Sequence, residues 1–369
     1  MRSIFRLLLI SALLAGAARA ETSSWTSQGD AAGAAGKKAP APAKAPKPGA
    51  SKAASPAAPS PAPASPALPS PAAPTSDGVS SHAKGAPKSE DAAYEAFDQG
   101  RYLTALELAV KAAETGDPQA HTLVGRIYGE GYGVAKNSAL AAKWYVRGAE
   151  LGDPEAMFAY AMMLVEGQGV DKDAVAAARY FEGAAVHRHP LANYNLALLF
   201  LRGEGKPENP YRAFMHMQFA AEAGVTAAQY DLGTLYATGT GIEPNAFEAA
   251  RWIGKAAAAG HPEAALEFGV ILFRGHGVPV DEKKGAEMFR TAAEKGLASA
   301  QDRLARCYVY GAGLEKNLLQ GAKWYLIAKA GGIEDEALEK VLAQLSKADR
   351  SKAEKAASEW RDRTQVGME

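Results

Sequence analysis

Six copies of a paired glycine, set 36 residues apart without slippage, limit this chain more than any other feature. The pairs are Gly131/Gly133, Gly167/Gly169, Gly203/Gly205, Gly239/Gly241, Gly275/Gly277 and Gly311/Gly313. Four residues after each second glycine stands Asn137, Asp173, Asn209, Asn245, Asp281 or Asn317. A fixed period of this length marks an array of stacked units. Each unit then packs on its neighbours, and the 369 residues need no single globular core.

Within one period the sequence reads as two helices. Asp153 is a strong N-cap, and Pro154 suits the first helical position, where no backbone donor is missed. The same step gives Asp117-Pro118, His189-Pro190 and His261-Pro262. Apolar residues then recur at helical spacing in columns such as Val124, Tyr160, Leu196, Leu232, Phe268 and Leu304. A small residue follows each of these, from Gly125 to Ala305, which lets two helices approach closely. The G-x-G ends the helix because glycine reaches positive φ cheaply. The Asn/Asp column caps a second helix, and Pro210 directly after Asn209 supports that register. The second helix carries Trp144, Tyr180, Trp252 and Trp324 in one column and small residues one turn later. Gly152, Gly224, Gly260, Gly296 and Gly332 follow it as C-terminal caps, with Arg188 in place of glycine in the second unit. That turn is expected to differ.

The pattern A-x3-L-G/A-x2-Y-x2-G-x-G-V, followed by A-x2-W-Y and A-A-x2-G, resembles the Sel1-like repeats, relatives of the tetratricopeptide repeats. Six consecutive copies cover residues 120–335. The resemblance implies an all-α fold, a right-handed superhelical solenoid of α/α hairpins used for protein–protein contact. Lys206 departs from it, standing where Val or Ile usually follows the second glycine. A first capping pair is expected over residues 91–119, with helices at 91–99 and 102–114. Two capping helices are expected over residues 336–369, with Ser346 as an N-cap and Asp349 reaching back to it. Caps of this kind shield the ends of a solenoid.

Residues 1–20 read as a secretory signal peptide: Arg2 and Arg6, an apolar run from Leu7 to Ala18, and Ala18-Arg19-Ala20 before a cleavage point. The run is short for a membrane span. The mature protein is therefore expected to be periplasmic or secreted. Residues 21–90 are rich in Pro, Ala, Ser and Lys, with little to bury, and are expected to be a disordered, extended linker. The linker is either a passive tether or a device that reaches cell-wall polymer. Its seven lysines face four acidic residues, whereas acidic residues outnumber basic ones in the array. An acidic array excludes a nucleic-acid partner, which would need clustered Lys and Arg.

No enzymatic centre is evident. Gly129–Gly133 superficially resembles a phosphate loop, but it follows a helix and lacks the Lys-Ser/Thr partner. His187 and His189 lack further ligands at a metal-binding spacing. Cys307, the one cysteine, falls in a core column otherwise filled by Ile, Leu and Met. No cofactor, metal or small-molecule ligand is implied. A cysteine-rich branch of Sel1-like proteins is linked to β-lactam hydrolysis, but its repeats are stapled by disulfides, which a single cysteine cannot form.

In tetratricopeptide-type hairpins the first helices line the concave face. That places Phe158, Met162, Val165, Tyr194, Leu198, Leu201, Tyr230, Leu266, Val270 and Phe273 inward, with Arg126, Arg202, Arg274 and Arg306 at comparable positions. Two arrangements fit these residues. They form a groove for a peptide or helix, or they pack against the adjacent first helix and expose little. The groove makes the chain a scaffold for a protein partner. Periplasmic members that restrain a membrane sensor kinase and repress exopolysaccharide production are the closest in size and location. The alternatives are an envelope or peptidoglycan-associated structural factor and a β-lactamase-like hydrolase.

Overall fold

The computed structural model describes residues 89–366. Residues 1–88, which hold the signal peptide and nearly all of the Pro-rich linker, lie outside the described residues; the linker's expected last two residues, Ser89 and Glu90, already belong to the first helix. Among the described residues there are sixteen helices and no strand. The N-terminal pair is α1 (Ser89–Asp98) and α2 (Tyr102–Glu114). Six hairpins follow: α3 (Pro118–Glu130) with α4 (Ser138–Glu150), α5 (Pro154–Glu166) with α6 (Ala174–Val186), and α7 (Pro190–Arg202) with α8 (Pro210–Glu222). Then come α9 (Thr226–Thr238) with α10 (Ala246–Ala258), α11 (Pro262–Arg274) with α12 (Glu282–Glu294), and α13 (Ala298–Tyr310) with α14 (Leu318–Ala330). The chain closes with α15 (Glu336–Gln344) and α16 (Lys347–Val366).

Each first helix packs on its own second helix and on the second helix of the preceding repeat. The contact needs small residues. A methyl group at Gly233 would overlap Ile253, and one at Gly269 would overlap the ring of Phe289. The core runs lengthwise through the stack between these two rows of helices. Phe181, Leu196, Met217, Leu232, Ile253 and Leu304 are fully buried in it. Cys307 is buried there too, and burial pushes its thiol up to about 12. The tyrosine column is less enclosed: Leu164, Phe200 and Leu272 are buried, but Tyr128, Tyr236 and Tyr308 stay half-exposed.

The loop within each repeat has one construction throughout. Asn137, Asp173, Asn209, Asn245, Asp281 and Asn317 each cap a second helix by accepting a backbone N–H three residues on. The N–H of each cap residue also closes the loop on a carbonyl of the first helix, Asn245 on Tyr236 at 2.8 Å and Asp173 on Leu164 at 3.0 Å. The second glycine has a further reason beyond its φ. A methyl group at Gly205 would overlap the carbonyl of Ala174, and one at Gly241 that of Pro210. Each loop therefore rests on the first turn of the preceding second helix. Lys206, the departure from the family pattern, uses this proximity and donates to Glu182 of α6 at 2.8 Å.

The turn between repeats is built differently. Arg188 adopts φ 62°, the left-handed conformation that glycine takes at the equivalent positions. The expected difference in that turn is therefore one of strain and not of backbone path. The Arg188 guanidinium lies 5.1 Å from the ring centre of Phe219, a contact that offsets part of the cost.

Both ends are closed. Phe97, Tyr102 and Tyr132 form an aromatic cluster joining α1 and α2 to the first loop, with ring centres 4.9–5.3 Å apart. At the other end Trp324 meets Trp360 edge-on at 5.6 Å. Asp335 caps α15 and pairs with Arg306 of α13. Ser346 and Asp349 form the reciprocal cap expected at the start of α16, at 2.8 and 3.1 Å.

Candidate inner-wall site

The residues assigned inward divide into three groups. The first is spent on holding consecutive first helices together. Tyr194 is 6% exposed, and its hydroxyl donates to Asp231 of α9 at 3.0 Å. Tyr230 repeats the arrangement one unit later, hydrogen-bonding Glu267 of α11. Burial is the main cause that raises the Asp231 carboxyl, to about 6, against the opposing pull of Tyr194 and Arg202. Glu267 is raised in the same way. Leu198, 8% exposed, is also buried within the stack. For Tyr194 and Leu198 the structure therefore takes the second of the two arrangements: packing against the neighbour, with little left for a ligand. This Tyr–carboxylate ladder was missed. Its signal is an acid 37 residues after the tyrosine, one period plus one, as Asp231 follows Tyr194 and Glu267 follows Tyr230.

The second group faces its own second helix. Phe273 stacks on Phe289 of α12 with centres 5.3 Å apart and lies against Gly285. Its inward placement is corrected accordingly: an absent side chain at Gly285 makes room for the ring between the two helices. Val165 and Leu201 occupy the same column and are half-buried against the core.

The third group remains on the wall. Phe158, Met162, Leu266 and Val270 are half-exposed and border the core clusters, and Tyr230, though bonded to Glu267, keeps part of its ring exposed beside them. His189 covers one face of Phe158, and His261 one face of Tyr230, with ring centres 4.7 and 4.9 Å apart. Val270 and Ile271 wall a small pocket whose other lining residues are Glu267, Arg274 and His276. Arg126 and Arg274 are exposed; Arg202 and Arg306 are half-buried, Arg202 against Glu204 at 4.0 Å and Arg306 against Asp302 at 3.5 Å. The wall thus offers apolar patches separated by charged side chains. Among the described residues no cluster of three metal-ligating side chains occurs. His189, weighed above as a ligand, instead caps α7.

The sequence model of the Sel1 repeat matches residues 118–153, 154–185, 190–225, 226–261, 262–297 and 298–333. The second match stops short of Arg188, where the turn departs from glycine. Among solved structures, a Sel1 repeat protein from Oxalobacter formigenes is similar, with 26% identity and a TM-score of 0.58. That match covers 67% of this chain and 98% of the other. A protective antigen of uropathogenic Escherichia coli with an SLR fold is similar at 26% identity and TM-score 0.51, over 74% of this chain and 68% of that one. No curated protein matches at comparable stringency. Repeats of this kind typically mediate protein–protein contact and form generally non-catalytic scaffolds. With six tandem matches spanning more than half its length, the chain belongs to the Sel1 repeat family.

Proposed function

We propose that this protein is an exported scaffold whose inner wall holds a segment of a protein partner. The observation that carries the reading is the half-exposed apolar set Phe158, Met162, Tyr230, Leu266 and Val270 on successive first helices. Apolar anchors beside charged groups suit a peptide or helix, with the charges setting orientation more than affinity. Export is supported by the charged, apolar and small-residue pattern of residues 1–20. An envelope sensor protein is the partner class that this location favours.

The test pairs wild type with Met162→Glu/Val270→Glu, because Tyr194 and Leu198 are structural. Photocrosslinking from both proteins in envelope preparations should give a discrete adduct with wild type that is lost with the variant. Equal adducts would remove the inner wall from the account. N-terminal sequencing of the mature protein should begin at Glu21, and retention of Met1 would contradict cleavage after Ala20 and leave a short uncleaved anchor.

A further inference from the structure

The six first helices do not share one kind of start. Asp117 and Asp153 cap α3 and α5 with carboxylates, and Val225 and Leu297 provide no side-chain cap for α9 and α13. His189 and His261 cap α7 and α11 with an imidazole nitrogen. Nδ1 of His189 accepts the Ala192 N–H at 3.1 Å, and Nδ1 of His261 accepts the Ala264 N–H at 3.3 Å. Each imidazole also stacks at 22° on an aromatic ring of the preceding first helix. The same device therefore recurs at the entries to the third and fifth repeats, on either side of the third and fourth.

An imidazole nitrogen accepts a hydrogen bond only while it carries no proton. At His189 the tautomer is selected from the other side: Nε2 donates to Glu155 of α5 at 3.0 Å, leaving Nδ1 open. That bond is the main cause holding the Glu155 carboxyl below its usual range, and Arg126 acts in the same direction. His187 and Arg188 precede His189 in the turn, with the Arg188 guanidinium over the Phe219 ring. At His261, Nδ1 also lies 3.3 Å from Glu263. Glu267 faces the stacked Tyr230 from α11, and the Lys295 ammonium approaches the same turn beside Gly260.

We propose that His189 and His261 make two junctions of this solenoid acid-sensitive, their protonation breaking the N-caps on both sides of the third and fourth repeats. A proton on Nδ1 points at an N–H that it cannot satisfy and puts positive charge at the positive end of a helix dipole. At His261 the new proton has an alternative acceptor in Glu263, which draws the ring off the cap. Asp117 and Asp153 cap with carboxylates, which accept through oxygens and present no ring proton to the helix start. Burial holds His261 below the ordinary imidazole value, with Glu263 acting against it. At His261 the unfolded chain then takes up the proton first, near about pH 6.5, and the stabilisation this cap gives at neutral pH is lost as the pH falls. Buried Asp231 and half-buried Asp302, both raised to about 6, act with the opposite sign, so the histidine contribution appears as a difference between variants.

The test is thermal unfolding of the full chain at about pH 7.5 and about pH 5.5, for wild type and for His189→Asn/His261→Asn. Asn caps without titrating, as Asn245 does. The two proteins should melt within about 2 °C of each other at the higher pH, and the variant should melt about 5 °C above wild type at the lower. An equal drop in both would overturn the proposal. Asp117→His provides an independent arm. Its drop between the two pH values should exceed that of wild type by about 2–3 °C, and an unchanged drop would also overturn it. Both arms use the isolated chain, so they do not depend on whether the inner wall holds a partner.

Discussion

The loop inside each repeat and the turn between repeats both reverse the chain around glycine, yet they tolerate change very differently. The loop is part of the stack. From Gly169 onward its second glycine sits on the backbone of the preceding second helix, its cap residue is always Asn or Asp, and that residue's N–H always closes on the first helix. The turn lies at the surface. Nothing lies within 4 Å of a side chain built at Gly152, Gly224, Gly296 or Gly332. Caps at the turn vary from Asp to His to none, and Arg188 replaces glycine without altering the left-handed backbone. The invariant second glycine of the loop thus marks a position where neighbouring repeats touch, whereas the turn glycine that gives way to Arg188 is set by backbone conformation.

This comparison can be broken by substitution. Gly241→Ala should be the most damaging change, costing about 4 kcal/mol, because left-handed strain adds to overlap with the Pro210 carbonyl. Urea denaturation would measure it. Gly224→Ala meets open space and should cost only the strain, about 1–2 kcal/mol. A similar loss from both glycines would refute the distinction between loop and turn. Asn245→Ala removes the bond to the Glu248 N–H and should cost about 1 kcal/mol. Arg188→Gly should move stability by less than about 0.5 kcal/mol. Relief of strain is offset there by loss of the Phe219 contact and by the freer unfolded chain.

The sequence shows why the hairpins were readable and the wall was not. The period, the Asn/Asp column and Pro210 place the second helices to within a residue, because capping chemistry is local. The close approach at Gly205 and Gly241 was hidden, because positive φ already accounts for a glycine and the neighbour that excludes a side chain lies one repeat away. Which of the two arrangements Tyr194 takes was hidden for the same reason. Its partner Asp231 belongs to the next unit, and a column analysis confined to one unit presents the ring as free. Phe273 depended on a void at Gly285 in the facing helix, which helical periodicity alone cannot assign.

The central claim is that the within-repeat loop is as firmly packed as the helices it joins. Hydrogen exchange at the amides of Asn137, Asp173, Asn209, Asn245, Asp281 and Asn317 tests it most directly, since each donates into its own first helix. The account expects these six amides to exchange as slowly as the interiors of α7 and α9, and far more slowly than the turn amides of Gly224 and Gly296. Exchange of the six at the rate of the turns would show that the loops open independently of the stack, and the account would fail.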